Sequence, residues 1–264
     1  MRCYVEAIGL LGPGLDGWAV SRGALSGEAA YVVGPTNLRA SDMLPAAERR
    51  RAGVPIKLAL AVGQEAFRQA GRDTKTAATV FTSSGGDNDN VHAINGILAT
   101  APREVSPTRF HNSVHNAAAG YWCIAAESRE PSTSLCAYDT SFAAGLLESA
   151  TQVAVDNAVV ALIAYDHPYP EPLNAVRPIT AAFGTALILT PHQTDKSLAS
   201  IELSFVSGTS DDTAMPDAGL EALRCGVPAA RALPLLAALA SGKPAQISIA
   251  YFDNAHLNIR VSPC

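Results

Sequence analysis

Apolar and polar positions alternate along this chain with two different periods. Tyr4 to Leu10 is an apolar run interrupted only by Glu6, and Gly12-Pro13-Gly14 stops it, so a strand and a loop are predicted. A short helix follows around Trp18 to Leu25. Residues 30–54 carry Pro, Gly and Arg49-Arg50-Arg51 with little periodicity and read as loop with some local helix. From Ile56 to Ala70, apolar positions at 59, 62, 66 and 70 mark one helical face, closed by Gly71. Ala77 to Thr82 is a strand ending in Ser83-Ser84-Gly85-Gly86. Helices over 91–98 and 112–126 come next, then a strand over 133–137, a helix over 140–155 and a wholly apolar strand over 158–165. Strands over 181–189 and 198–206, helices near 216–224 and 228–240, and two alternating strands, 245–251 and 256–262, complete the pattern.

Strands that alternate with helices, some of them apolar throughout, predict an α/β fold whose sheet is covered on both faces. No internal repeat or linker divides it, so residues 1–264 read as one domain. With 48% hydrophobic and 16% charged residues the chain can bury a sizeable core. A net charge of −5 with no basic stripe beyond Arg49-Arg50-Arg51 excludes a nucleic-acid partner. No apolar run reaches the roughly 20 residues of a membrane helix, and the N-terminus reads as strand and loop rather than a signal peptide. Cys3, Cys123, Cys136, Cys225 and Cys264 form no CxxC pair, which fits a reducing cytoplasm.

Candidate chemistry concentrates in SPTRFHNSVHNAAAGYWCIA, residues 106–125. His111 and His115 stand four apart, which on one helix places both on one face, as two metal ligands require; Asp87 or Asp139 is then the nearest source of a third. Alternatively His115 activates Ser113 or Ser84 for acyl hydrolysis. The third reading is structural: His115 and Asn116 satisfy buried backbone groups where helix meets sheet. No HExxH or Gly-x-Ser-x-Gly pattern supports the first two, and no phosphate-loop pattern follows Ser83-Ser84-Gly85-Gly86. The third reading is preferred, with no metal and no cofactor expected, and Tyr121 and Trp122 are read as packing aromatics.

The order of segments resembles that of β-ketoacyl synthases. VEAIGLLGPGLDGWAVSRGALSGE is similar to their opening strand, loop and helix, KLALAVGQEAFRQAG to the next helix, and ATVFTSSGGD to the strand with a glycine-rich end. EPSTSLCAYDTSFAAGLLESA resembles the strand, nucleophile turn and helix, and NAVVALIAYDH and AFGTALILT the strands beyond. SPTRFHNSVHNAAAGYWCIA resembles the signature of short, chain-length-factor-like ketosynthase homologues of fatty-acid-like, polyketide and aryl polyene clusters. The resemblance implies a thiolase-like fold, with 1–206 matching the N-terminal half of a ketosynthase and 207–264 a divergent extension ending in a strand pair.

In that family a cysteine thiolate at a helix start is acylated from a carrier protein, and two histidines of the second half drive condensation. Laid on this sequence, the nucleophile's place falls on Asp139, with Cys136 three residues earlier in the predicted strand and expected to be buried. A carboxylate there is expected to cap the helix. The histidine-bearing half is mostly missing. The resemblance therefore implies a subunit without independent ketosynthase activity, acting through a synthase or acyl carrier protein partner in the cytoplasm. Its vestigial site would comprise Asp139, His115, Asn116, His111 and Ser113. The rival is a small acyl-thioester hydrolase or acyltransferase using Asp139 or Ser113 with His115. The strand 133–137 has side chains that are small or apolar, without Lys or Pro, and is expected to form the centre of a two-fold dimer, with itself or with a ketosynthase.

Overall fold

The computed structural model describes residues 1–38, 41–208 and 210–264. Among the described residues nine strands form one sheet: β1 (Arg2–Gly12), β2 (Leu15–Asp16), β3 (Ala78–Thr82), β4 (Ser132–Leu135), β5 (Val160–Asp166), β6 (Phe183–Thr190), β7 (Ala199–Ser207), β8 (Ala245–Ala250) and β9 (Ala255–Pro263). Their order is β4-β3-β5-β6-β1-β7-β9-β8, with β2 folded back on β1. The helices are α1 (Trp18–Ser26), α2 (Ala46–Arg51), α3 (Val54–Ala70), α4 (Asn88–Leu98), α5 (Pro107–Asn112), α6 (Ala117–Ala126), α7 (Ser141–Asp156), α8 (Leu173–Val176), α9 (Ala218–Gly226) and α10 (Leu233–Ser241). Among the described residues no helix is long and apolar enough to cross a membrane.

The sheet is mixed. β3 pairs in parallel with β4 and β5, whereas β6 runs antiparallel to both β5 and β1. Crossovers through α4–α6 and through α7 supply the length that parallel neighbours need. Every residue of β5 is buried, as its unbroken apolar run predicts. Val160, Leu162 and Ala164 face a core shared with α1, α7, α9 and α10, while Ala161, Ile163 and Tyr165 face one shared with α3 and α6. Coverage of both faces ends at β7. Along β7 and β9, Leu203, Leu257 and Ile259 are buried, but Ser204, Asn258 and Arg260 lie exposed on the opposite face, which accounts for the alternating pattern of these strands.

Glu6 sits at an irregularity in the β1–β6 register, where its carboxylate accepts from the Arg72 guanidinium and, at 2.9 Å, from the Thr194 hydroxyl. The one buried charge of β1 is thus paired rather than left alone. α3 crosses β1 so closely that a Cβ at Gly9 would run into the Val62 carbonyl. The predicted helix over 112–126 begins only at Ala117, as α6, after a turn at 113–116 that follows the separate α5, and β4 stops at Leu135, two residues before the predicted end.

Two glycines predict opposite outcomes. Gly9→Ala overpacks the α3–β1 contact and should lower unfolding stability by roughly 1–3 kcal/mol or more. Gly96→Ala lies inside α4 with open space around it and should raise stability by about 0.5–1 kcal/mol. Denaturant unfolding of both variants checks the contrast.

Candidate functional site

The parallel strands β3, β4 and β5 bring their carboxyl ends to one rim of the sheet, the place where open α/β sheets receive ligands. β3 leaves the sheet at Ser83-Ser84-Gly85-Gly86, β4 at Cys136-Ala137-Tyr138, and β5 at Asp166-His167. Asp166 lies at the centre. One carboxylate oxygen accepts from the Ser83 hydroxyl at 3.0 Å and the Ser84 backbone N–H at 2.8 Å; the other accepts from the Ala229 N–H at 2.9 Å. Burial pushes its carboxyl up from 3.8 to about 7, against the pull of the Ser84, Ser83 and Ala229 donors.

The two serines fixed in this way hold the surrounding segments. The Ser84 hydroxyl is 2.8 Å from the Tyr169 hydroxyl and 3.5 Å from Arg177 Nη2. The Cys136 thiol donates to the Ser84 carbonyl at 3.2 Å, and His115 Nε2 lies 3.0 Å from the Ser83 carbonyl. Arg177 also donates to Asp139 Oδ1 at 2.8 Å, and its guanidinium carbon lies 3.4 Å from the centre of the Tyr138 ring. Tyr138 occupies the strand-to-helix turn, 60% exposed, with φ 55°, a conformation that bulky residues rarely adopt.

Several expected placements change. Cys136 is exposed and lies beyond β4, because the strand ends early. Asp139 caps nothing: it sits in a short 3-10 turn, Tyr138–Thr140, and α7 begins with no side-chain cap, since Arg177 draws the carboxylate away. His111 and His115 do not share a helical face, because α5 ends at Asn112 and His115 lies in the turn that follows. His111 is exposed, its ring edge-on to Tyr121 at 6.3 Å between centroids. The Ser113 hydroxyl donates to the Phe110 carbonyl at 2.8 Å rather than meeting His115. Asn116 is exposed at the start of α6 without a cap hydrogen bond. The buried amide of this segment is Asn112, which donates to the Arg51 carbonyl at 2.9 Å and accepts from Tyr121 Oη at 3.1 Å. Trp122 packs on Phe67 and Phe81 in the core.

Asp166, Tyr169 and Arg177 are the residues that sequence reasoning missed. Only Asp166 left a signal: a lone carboxylate closing an otherwise apolar strand, where an acid needs partners. The arrangement joins Asp139 to a guanidinium and His115 to a carbonyl. No described histidine hydrogen-bonds a serine hydroxyl or the cysteine thiol of this rim. A groove of about 440 Å³, walled by Val91, Pro170, Pro172, Leu173 and Val176, opens beside it between α4 and α8.

Comparison with known proteins gives the arrangement a context. The family model for the β-ketoacyl synthase N-terminal domain matches residues 24–245. Among solved structures, a chain of the ketosynthase ApeO in complex with its chain length factor ApeC from Xenorhabdus doucetiae is 21% identical. That match covers 98% of this chain and 99% of the other, with a TM-score of 0.75. The ishigamide ketosynthase/chain length factor is 15% identical over 100% of this chain and 99% of its own, TM-score 0.76. A type II polyketide complex, AntDE with the acyl-carrier protein AntF, is 10% identical over 100% and 99%, also at 0.76. At these identities the structures establish a common, thiolase-like fold along the whole chain. No curated protein matches the sequence.

Asp166→Asn places an amide N–H where Asp166 accepts, and should cost about 1–3 kcal/mol of unfolding stability. The sign of the pH effect follows from the raised carboxyl. Between about pH 4 and 7 the folded state keeps a proton that the unfolded chain releases, so this group's contribution falls as pH rises through that window. The stability gap between wild type and Asp166→Asn should therefore be larger at pH 5 than at pH 8, measured by urea unfolding.

Proposed function

Because the chain belongs to the β-ketoacyl synthase N-terminal domain family, we propose that it is a catalytically silent, chain-length-factor-like subunit. It works in the cytoplasm, in fatty-acid-like, polyketide or aryl polyene synthesis, through a ketosynthase or acyl carrier protein partner. The observation that carries this reading is the Asp139–Arg177 pair at the strand-to-helix turn, where the family's acylated cysteine falls. A thiolate there is a strong nucleophile; a carboxylate oxygen engaged by a guanidinium at 2.8 Å is a far weaker one. The rival hydrolase reading needs His115 beside Ser113 or Asp139, and these side chains make their hydrogen bonds elsewhere. The complexes named for the similar structures, ketosynthase with chain length factor and ketosynthase with acyl-carrier protein, favour the same kind of partner here.

The free edge of the sheet supports a paired state. β4 is the outermost strand on its side, with side chains that are exposed or half-buried. The carbonyls of Pro131 and Leu135 accept from the Thr79 and Ser83 N–H groups. Strand alternation therefore turns the N–H and carbonyl of Ser134 outward, open to a strand from another subunit. We place this edge at the centre of a two-fold interface, homomeric or with a ketosynthase, that clears roughly 1,000 Å².

The outward N–H makes the test specific. Ser134→Pro removes a donor that only a partner strand would use. It should abolish dimer formation, or retention of a co-expressed ketosynthase, while leaving the fold intact by circular dichroism. Leu135→Pro strikes the β3 ladder instead and should lower thermal stability. A monomer at micromolar concentration that retains neither a ketosynthase nor a carrier subunit refutes the proposal. Asp139→Asn, which breaks a partly exposed ion pair, should cost only about 0–1 kcal/mol and leave assembly unchanged.

A further inference from the structure

One side-chain cluster on the same rim takes no part in the arrangement around Ser83 and Ser84. Asp87 precedes α4 and caps it, Oδ1 accepting from the Asn90 N–H at 3.1 Å and Oδ2 from Asn90 Nδ2 at 2.7 Å. Asp89 stands exposed in the first turn of α4. His167 follows Asp166 where β5 leaves the sheet. One oxygen of each carboxylate and one ring nitrogen of His167 all lie within 4.8 Å of one another.

Two features separate this cluster from an ordinary acidic surface. His167 is only 4% exposed, and its Nε2 is buried with no hydrogen-bond partner among the described residues. A buried, unpaired polar nitrogen is costly, and native structures seldom keep one without a ligand or an unseen partner. Asp87 is also buried and pressed from outside, since a Cβ on Gly53 would run into its Oδ2. Its carboxylate therefore has little freedom to swing out to solvent. A cation between them would offset the repulsion of the two carboxylates and give the unpartnered imidazole nitrogen a partner.

We propose that Asp87, Asp89 and His167 form a binding site for a divalent transition cation of the Zn²⁺ or Co²⁺ class, which ties the start of α4 to the end of β5. Mixed imidazole and carboxylate donors suit that class better than they suit Mg²⁺ or Ca²⁺, which favour oxygen alone. Bonds of about 2.0–2.2 Å require donors that lie up to 4.8 Å apart to close in, and exposed Asp89 has the most freedom to move. Three protein ligands leave at least one position for water. The sequence alone led to the opposite expectation, because the pair it singled out, His111 and His115, is not the one the fold brings to a carboxylate.

The test is a Co²⁺ titration of the full chain, followed by absorption spectroscopy and by thermal unfolding. Wild type should take up one equivalent with visible d–d bands and a rise in Tm. The spectrum should lack the near-ultraviolet sulfur-to-cobalt band that binding at exposed Cys136, Cys225 or Cys264 would give. Asp89→Asn, an exposed position, should bind at least tenfold more weakly and lose the Tm rise. His167→Gln should do the same once circular dichroism shows it folded, and remote, exposed Asp253→Asn should match wild type. Failure of wild type to bind one equivalent, binding with the sulfur band alone, or an Asp89→Asn titration equal to wild type would each overturn the proposal.

Discussion

The rim of this sheet depends on one buried carboxylate. Asp166 accepts from Ser83, Ser84 and Ala229, and so joins the ends of two parallel strands to the turn that precedes α10. Three donors converge on a group whose burial opposes its ionisation, so the contact holds only while all of them stay in place. The geometry of the neighbouring segments follows. The Ser83 carbonyl is presented to His115, and the Ser84 carbonyl to the Cys136 thiol. The Ser84 hydroxyl faces Tyr169 and Arg177, and through Arg177 it reaches Asp139 and the ring of Tyr138.

That chain of contacts explains how the turn between β4 and α7 can keep its strained shape with different chemistry inside it. A turn that lifts one residue out of a strand end and into a helix start suits a nucleophile. Here the residue with positive φ is Tyr138, whose exposed ring lies against Arg177, and the carboxylate beside it is paired with the same guanidinium. Under the proposal, the frame of an acylation site persists while its reactive position is held by the Asp139–Arg177 ion pair. On the proposed reading, what the subunit offers its partners is shape: a free sheet edge at β4 and an apolar groove beside α4.

Elements governed by local pattern were legible in the chain. The all-apolar β5 and the glycine-closed α3 lie within a few residues of their predicted places, and so do the alternating β8 and β9, because side-chain period and backbone chemistry act over short distances. Placements that depend on distant partners were not. Arg177 takes Asp139 from 38 residues away, and Asp166 meets Ser83 and Ser84 across 83 and 82 residues. The turn at 113–116 separates two histidines that spacing alone puts on one face, since nothing local announces that α5 stops at Asn112. For the same reason the edge position of β4 followed from the family resemblance, whereas the outward direction of Ser134 required the observed ladder with β3.

The central claim is that the site keeps its frame and has lost its nucleophile, and intact-mass analysis tests it most directly. The protein is incubated with an acyl- or malonyl-loaded carrier protein, and its mass is read before and after. The account predicts no covalent adduct on Asp139, Cys136 or Cys123, and no release of carrier thiol above background. An acyl-protein species that forms with wild type and disappears in a single substitution at one of those positions would contradict it.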